Sequence, residues 1–438
     1  MDLVNGSGPD QTRDARTMWP RQLRPKWLLQ NLLPPALLTF FARTWYLCLT
    51  DIGPKYIGGT LGRPHLGRLY SAFATVSIST ITVLYLRLYF LPSNQSVPPR
   101  KPTDHIPHVK TYEYPLGIPK SIVFQNDVPL TRCDRPSCSS RWKPPRTRHC
   151  SDCGTCRMGF DHHCAFFANC LTAPYIPIFL LTLLYTPPTV IILLVPIIRP
   201  LCERAAEAYN LSRSSPEIIS GWYHWTGSWF VAGGPIGRYV GGVVLGWKAL
   251  DRVDGEEALR MEIGALAAAG LLLAMMTAGL AASSIESILR GDLTVDRERA
   301  KSFRRIEAEV HRLARAGKPV PDKMQESLKK LTAQSFFWVP VEFEDGIEFF
   351  AQRNGHNGDS LRRGVIVPTL PWEKPYDLGR ARNWNLYMGQ GYGWTLPWNA
   401  WHRISYLKNV ILDWPLSPEV EHRLRDEAER IIKSSVQS

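Results

Sequence analysis

Four long apolar runs constrain this chain more than any other feature of its sequence. Tyr175–Ile198 and Ile263–Ile285 contain no charged side chain, and Leu69–Phe90 contains only Arg87. A fourth run, Leu32–Leu49, is interrupted by two prolines and one arginine. About 20 apolar residues cross a bilayer as an α-helix. The sequence therefore predicts four transmembrane helices rather than the buried helices of a soluble protein.

The charges between these runs predict how the chain is oriented in the membrane. Residues 94–174 carry eleven Lys and Arg against six Asp and Glu, whereas residues 199–262 carry seven basic and eight acidic side chains. Because basic loops remain in the cytosol, the N-terminus, the segment 91–174 and the C-terminal region are predicted to be cytosolic. The loop 199–262 is then lumenal or extracellular. Within it, the Trp- and Gly-rich stretch Ile218–Trp247 indicates an interfacial or re-entrant segment rather than a fifth span.

The soluble regions give a coarser prediction. Asp296–Gly317 has apolar residues at helical spacing in a charged background, which predicts an amphipathic helix. Phe336–Phe350 and Val365–Val367 have strand character, and Glu419–Lys433 is a predicted helix. Residues 98–117 are predicted to be a linker, and the polar start of the chain a cytosolic tail.

The net charge of +13 indicates an anionic partner, which could be phosphate groups, anionic lipid or nucleic acid. Nucleic acid is the least favoured of these. The basic residues would have to bind it beside a membrane, and they interleave with cysteines instead of forming a reading helix. No nucleic-acid partner is therefore expected.

A cluster of cysteine and histidine residues carries the chemistry of the sequence. Seven of the nine cysteines fall between Cys133 and Cys170, together with three histidines. No cleavable signal peptide opens the chain, so metal binding is favoured over disulfides. Zinc takes four sulfur or nitrogen ligands in a structural site, so two sites use eight of the ten candidates. The cluster can thus bind metal and still leave a reactive thiol.

Asp161, His162 and Cys164 offer a second chemistry within four residues. An imidazole that is held by a carboxylate can activate a neighbouring thiol as a nucleophile. A purely structural zinc module with a spare cysteine explains the same residues. Residue chemistry alone leaves both interpretations open.

The Asp161–Cys164 sequence, Asp-His-His-Cys, resembles the signature of the DHHC protein S-palmitoyltransferases. The resemblance extends to the Lys-Pro-Pro-Arg lead-in at 143–146, to Asn169-Cys170, and to the position between the second and third spans. Ser283–Glu286 is similar to the family's Thr-Thr-x-Glu motif. Pro375–Gly379, with Asn383 and Gly389, is similar to its C-terminal motif.

The resemblance implies a role for each residue of the cluster. One structural zinc ion would be bound by Cys133, Cys138, His149 and Cys156, and a second by Cys150, Cys153, His163 and Cys170. Cys164 would be the acyl-accepting nucleophile, with His162 as its base and Asp161 as the residue that orients His162. The phosphates of coenzyme A would be met by Lys143, Arg146 and Arg148.

The resemblance also implies the reaction, which is transfer of a palmitoyl group from palmitoyl-CoA to cysteine thiols of membrane-associated proteins through S-acyl-Cys164. The lipid bilayer is a further expected partner. The expected location is an endomembrane, either the endoplasmic reticulum or the Golgi, with the active site facing the cytosol. The alternative is a non-enzymatic zinc-containing membrane adaptor. It draws on the atypical residues after Cys164, at Ala165, Phe166, Thr172 and Tyr175. A separate departure from the family pattern is the longer spacing of four residues between Cys133 and Cys138.

Together these predictions define an all-α polytopic membrane protein. Its four transmembrane helices carry a cytosolic Cys-rich zinc-binding domain between the second and third, and a mixed α/β cytosolic region follows the fourth. The predicted segments are a tail (1–31), spans 1 and 2 (32–90), the Cys-rich domain (91–174), span 3 (175–198), a lumenal loop (199–262), span 4 (263–285) and the C-terminal region (286–438).

Overall fold

The structure is a computed structural model that describes residues 25–91, 97–98, 122–124, 132–138, 141–254, 259–331, 336–340, 363–370, 373–412 and 414–436. These residues are mostly helical. Four of their helices are long and apolar enough to cross a membrane: Asn31–Thr60, Pro64–Tyr89, Ala173–Leu194 and Met261–Leu289. The prediction of four helices of this length and apolar composition is therefore confirmed. The predicted tail up to residue 24 and the linker from residue 99 onward lie outside the described residues.

The helices follow one another along the chain as α1 (Pro25–Leu47), α2 (Pro64–Tyr89), α3 (Ile176–Leu194), α4 (Ile198–Ser214), α5 (Pro216–Ile218), α6 (Ser228–Val231), α7 (Pro235–Asp254), α8 (Met261–Leu289), α9 (Thr294–Arg315), α10 (Asp322–Leu331), α11 (Arg380–Met388), α12 (Pro397–Val410) and α13 (Pro418–Val436). A π-helical segment, Cys48–Thr60, continues α1. The strands are β1 (Ile122–Phe124), β2 (Arg148–Cys150), β3 (Thr155–Arg157), β4 (Phe160–Cys164), β5 (Asn169–Thr172), β6 (Phe336–Pro340) and β7 (Arg363–Pro368).

The first span keeps its helix despite the residues that interrupt its apolar run. Pro34 and Pro35 lie inside α1, which membrane helices tolerate because neighbouring groups satisfy the freed backbone. Arg43 forms a bidentate ion pair with Glu262 at the start of α8. Nη2 of Arg43 donates to Oε2 of Glu262 at 2.7 Å, and Nε of Arg43 donates to Oε1. The charge within the run is thereby paired with the fourth span.

The loop between the third and fourth spans is helical. Helices α4 and α7 pack together so closely that a Cβ on Gly246 would lie 1.9 Å from the carbonyl oxygen of Ala208. Within the part of the chain that the structure describes, α7 is not among the helices that qualify as spans. The stretch Ile218–Trp247 comprises short helical turns followed by most of α7.

Strands β6 and β7 of the C-terminal region form a three-stranded antiparallel sheet with β1, which comes from the segment before the Cys-rich cluster; the strand order is β1–β7–β6. Helix α13 covers one face of the sheet, where Leu424 and Ala428 pack against Phe337 and Val365. Strands β6 and β7 overlap the segments predicted to be strands, although residues 341–350 lie outside the described residues. Strand β1 was not predicted, because three residues are too few to display a pattern and its partner β7 lies far along the chain.

Candidate active site and metal centres

Two β-hairpins build the Cys-rich segment and place its histidines. In the β2–β3 hairpin, His149 lies directly opposite Cys156, and in the β4–β5 hairpin, His163 lies opposite Cys170. Side chains that face each other across antiparallel strands have Cβ atoms about 5 Å apart. Each hairpin therefore brings one histidine and one cysteine to the same point.

The first ligand group consists of Cys133, Cys138, His149 and Cys156, whose ligand atoms all lie within 4.8 Å of one another. The Nδ1 atom of His149 lies 3.1 Å from the Sγ of Cys138 and 3.7 Å from that of Cys133. The Sγ atoms of Cys138 and Cys156 are 3.7 Å apart. The three thiols of this group are buried.

The second ligand group consists of Cys150, Cys153, His163 and Cys170. The Nδ1 atom of His163 lies 3.7, 3.5 and 3.6 Å from the three Sγ atoms, taken in chain order. The Sγ atoms of Cys153 and Cys170 are 3.4 Å apart.

These distances fit the chemistry of zinc. Donors that bond a tetrahedral zinc ion at about 2.0–2.3 Å lie about 3.6–3.8 Å from one another. Both groups present three sulfurs and one nitrogen near that spacing, and both can hold a metal ion. The two groups contain the same residues as the two ligand sets that the family resemblance implies.

Strand β4 separates metal ligands from the candidate catalytic residues. Successive side chains of a strand point to opposite faces, so His162 and Cys164 share the face opposite to His163. The register of the hairpin shifts between Phe160 and His162. Such a bulge re-aims a side chain, and the Oδ2 atom of Asp161 lies 2.7 Å from the Nδ1 of His162.

Asp161 is held from its other side by the first residue of α9. The backbone N–H of Thr294 donates to Oδ1 at 2.6 Å, and the Thr294 hydroxyl donates to Oδ2 at 2.8 Å. Asp161 is buried, and the start of a helix favours a carboxylate there. Sequence analysis missed Thr294. The one available signal was a threonine just ahead of the predicted helix Asp296–Gly317.

The His162 imidazole interacts with Cys164 as well as with Asp161. Burial lowers the pKa of His162, but hydrogen bonds to Asp161 and Cys164 outweigh that effect and raise the pKa to about 10. The buried Cys164 side chain belongs to the same apolar cluster as Leu84 of α2 and Phe179 of α3. The candidate nucleophile thus lies where the hairpin meets the membrane helices.

An aromatic path leads from His162 into the helix bundle. The ring of His162 is 6.0 Å from that of Phe179, which is 5.9 Å from Phe167, which is 5.3 Å from Tyr85. Tyr85 lies 5.9 Å from Phe41. These contacts use Phe167, the residue after the atypical Phe166.

Phe41 also lines a cavity enclosed by the membrane helices. The cavity has almost wholly apolar walls, which include Phe40, Ile81, Val190 and Gly270. The aromatic path therefore joins the surroundings of Cys164 to an apolar space within the four-helix bundle.

The three basic residues assigned to coenzyme A lie in different environments. Lys143 and Arg148 are half-buried, whereas Arg146 is only 4% exposed. The Arg146 guanidinium stacks on the rings of Tyr376, at 4.4 Å, and Trp414, at 4.7 Å. This enclosure favours a bridging role for Arg146, and coenzyme A binding stays a prediction for Lys143 and Arg148.

The two C-terminal motifs meet at the end of the fourth span. Asn383 is buried and donates to the carbonyl oxygen of Leu289 at 3.1 Å and to Oδ1 of Asp377 at 2.7 Å. Glu286 lies 3.9 Å from Arg297 of α9. The first contact ties the C-terminal motif to the end of α8, and the second ties α8 to α9, the helix that presents Thr294 to Asp161.

A segment that includes most of this site matches a known protein family. The DHHC palmitoyltransferase family model matches residues 134–299, which contain seven of the eight candidate metal ligands and the Asp161–Cys164 sequence. Residues 134–299 are a DHHC palmitoyltransferase domain.

Several curated proteins are similar to parts of this chain. Probable protein S-acyltransferase 13 of Arabidopsis thaliana is 49% identical over 47 residues, which cover 11% of this chain and 16% of the relative. Palmitoyltransferase erf2 of Emericella nidulans is 29% identical over 149 residues, which cover 33% of this chain and 20% of the relative. Palmitoyltransferase PFA3 of Candida glabrata is 57% identical over 35 residues, which cover 8% of this chain and 10% of the relative. The matched segments thus span a fifth of these relatives' length or less.

Proposed function

We propose that the chain is a protein S-palmitoyltransferase that uses palmitoyl-CoA as the acyl donor and forms S-acyl-Cys164 as its intermediate. The observation that carries this proposal is the contact between the buried Cys164 and a His162 that is held by Asp161. All three residues lie on one strand that faces the membrane helices. The DHHC domain and the names of its relatives support the same chemistry.

In the first step, His162 accepts the proton of the Cys164 thiol. The thiolate sulfur attacks the carbonyl carbon of the palmitoyl thioester, so that a new C–S bond forms to Cys164. The bond to the coenzyme A sulfur breaks, and that sulfur leaves with the proton held by His162. Asp161 keeps the imidazole oriented and stabilises its positive charge.

The second step repeats this exchange with a protein thiol. His162 takes the proton of a client cysteine, whose sulfur attacks the acyl carbon on Cys164. The Cys164 sulfur leaves and recovers the proton. One thioester replaces another in each step, so the site contributes mainly positioning and an activated thiol.

The apolar cavity supplies a place for the fatty chain. Burial of an acyl chain is favourable by about 0.8 kcal/mol per CH₂ group. In the proposed complex, the acyl chain extends from Cys164 along Phe167 and Tyr85 to the cavity beside Phe41. A carbonyl group at Cys164 and a hydrocarbon tail between the spans then bind at the same time.

Two zinc ions would be held by the two ligand groups, where a closed set of four protein ligands gives a structural site. They would fix the hairpins that carry His162 and Cys164. Lys143 and Arg148 are proposed to meet the phosphates of coenzyme A. Clients are membrane-associated proteins with cysteines near the membrane surface, because Cys164 lies at the end of the bundle.

The active site is proposed to face the cytosol of an endomembrane, in the endoplasmic reticulum or the Golgi. The excess of basic residues in 94–174 over 199–262 supports this orientation. Four spans also return the C-terminal region to the side of the DHHC domain, where α9 contacts Asp161.

Acyl labelling of the purified full-length protein with an alkyne analogue of palmitoyl-CoA tests the proposal. Wild type and Cys202→Ser, which replaces an exposed cysteine in α4, should become labelled, and hydroxylamine should release the label. Cys164→Ser should remain unlabelled while it retains its metal. Equal labelling of Cys164→Ser and wild type would overturn the assignment of the nucleophile. Absence of label in a metal-bound wild type would favour the adaptor function.

A further inference from the structure

A stretch near the end of the chain has a composition suited to a membrane surface. Residues 378–412 contain no Asp or Glu, but four Arg and Lys and seven Trp and Tyr. Aromatic side chains collect at the boundary between bilayer and water, and basic side chains are attracted to anionic lipid. The stretch includes α11 and α12, neither of which is long enough to cross a bilayer.

Helix α12 is fixed to the membrane bundle by one side only. Ile404 and Leu407 are buried in the apolar cluster that also contains Tyr175, at the start of the third span. Away from this cluster, Trp398 and Tyr406 are 53% and 47% exposed. The helix therefore lies against the bundle near the end of the spans and directs aromatic side chains outward.

A cavity of about 400 Å³ lies between α12 and the ends of two spans. Its walls include Arg87 and Phe90 from the end of α2, Tyr175, and Trp401, Ser405 and Lys408 from α12. Water occupies about 30 Å³ per molecule, so the cavity has room for a polar group larger than several waters.

The chemistry of these walls selects an anion. Arg87 and Lys408 contribute two cations from elements that are distant in sequence, and Ser405 adds a hydroxyl group. Among the described residues that line the cavity there is no carboxylate. A doubly basic site of this kind suits a phosphate group, which arginine and lysine both bind.

Position selects the source of the phosphate. Arg87 lies in the last turn of α2, where the span leaves the hydrocarbon region, and Phe90 beside it is 71% exposed. A phosphate group in the cavity would lie between Arg87 and Lys408, and fatty chains attached to it would continue past the exposed Phe90. That arrangement fits a lipid, which joins a phosphate to fatty chains, better than a free anion.

We propose that this cavity binds the headgroup of an anionic phospholipid from the leaflet on the side of the DHHC domain. The lipid bridges α12 and the end of α2, and thereby holds the C-terminal region against the bundle behind Cys164. This site is distinct from Cys164 and from both metal groups.

Thermal unfolding of the full-length protein in neutral detergent tests the proposal, with dispersed phosphatidic acid as the probe. Phosphatidic acid should raise the midpoint of wild type, whereas phosphatidylcholine should not. Arg87→Gln combined with Lys408→Gln should weaken the apparent affinity by about fivefold or more for each charge removed. The charge-preserving pair Arg87→Lys and Lys408→Arg should retain the response. If the neutral pair does not fold, the single variants Arg87→Gln and Lys408→Gln replace it, and each should weaken the apparent affinity by about fivefold.

The matched control is Arg380→Gln combined with Arg382→Gln, which removes two exposed charges from the same acid-free stretch but outside the cavity. This variant should respond to phosphatidic acid as wild type does. Equal weakening in both double-glutamine variants would show general attraction to anionic lipid and would overturn the site. Inorganic phosphate or coenzyme A that competes with the lipid at equal concentration would also overturn it, in favour of a small-anion site. Because the readout is lipid binding, these outcomes do not depend on acyl transfer.

Discussion

The Asp161 carboxylate accepts two hydrogen bonds from Thr294, one from the backbone N–H and one from the hydroxyl group. The two residues are separated by the third span, the loop and the fourth span. The orientation of His162 therefore depends on the first residue of a helix in the C-terminal region. This relationship connects the folding of that region to the chemistry of Cys164.

Thr294→Val should slow acylation of Cys164 by about tenfold, because it removes one of the hydrogen bonds that orient a charged group. Thr294→Ser keeps the hydroxyl and should retain most of the rate. Initial rates of labelling with the alkyne analogue of palmitoyl-CoA measure the difference. If the valine and serine variants acylate at the same rate, the hydroxyl of Thr294 has no part in positioning Asp161.

Metal content should follow the two ligand groups. Wild type should contain about two zinc ions per chain, and Cys138→Ala and Cys153→Ala should each lose one of them or fail to fold. Cys164→Ala, which changes a cysteine outside both groups, should retain both. Elemental analysis of the purified proteins gives the ratios. Loss of zinc from Cys164→Ala would place that thiol among the ligands and not in catalysis.

The length of the accepted acyl chain should depend on Gly270. A Cβ at this position would lie 3.6 Å from Val190 and 3.8 Å from Phe40, which both line the apolar cavity. Gly270→Leu should therefore fill part of the cavity and shift the preference from palmitoyl to shorter acyl chains.

Competition between acyl-CoA donors of different length measures this shift. Gly279→Leu is the matched control, since a Cβ there meets nothing within 4 Å and lies on the exposed side of the same helix. An unchanged preference in Gly270→Leu would separate the cavity from acyl binding.

Arg146 should matter for stability. Its guanidinium lies between Tyr376 and Trp414 and 3.3 Å from Asp296, and its backbone has a positive φ of 57°. Arg146→Gln should lower the free energy of unfolding by about 3 kcal/mol, because the half-buried Asp296 loses its cation and the two rings lose the guanidinium that packs on them. Arg135→Gln, at an exposed position in the same Cys-rich segment, should change it little.

Thermal unfolding of the two variants in detergent compares these effects. A midpoint for Arg146→Gln equal to that of Arg135→Gln would mean that the bridge adds no stability. In that case Arg146 would again be available as a contact for coenzyme A.

Some features of this protein follow from the sequence alone because they depend on local composition. A span needs only enough consecutive apolar residues, so Tyr175–Ile198 and Ile263–Ile285 could be recognised without knowledge of their neighbours. The candidate ligands could be found in the same way, because cysteine and histidine residues lie close together in one segment of the sequence. The family resemblance then divided them into the two groups that the hairpins bring together.

Other features depended on contacts between distant parts of the chain. Strand β1 forms only because β7 pairs with it, and Thr294 reaches Asp161 only after the third and fourth spans have packed. Arg146 carried the same basic signal as Lys143, but aromatic rings from the C-terminal region enclose it. A charge pattern does not reveal what will cover a side chain. The tertiary structure therefore decided which basic residues are buried and which carboxylate contacts stabilise the site.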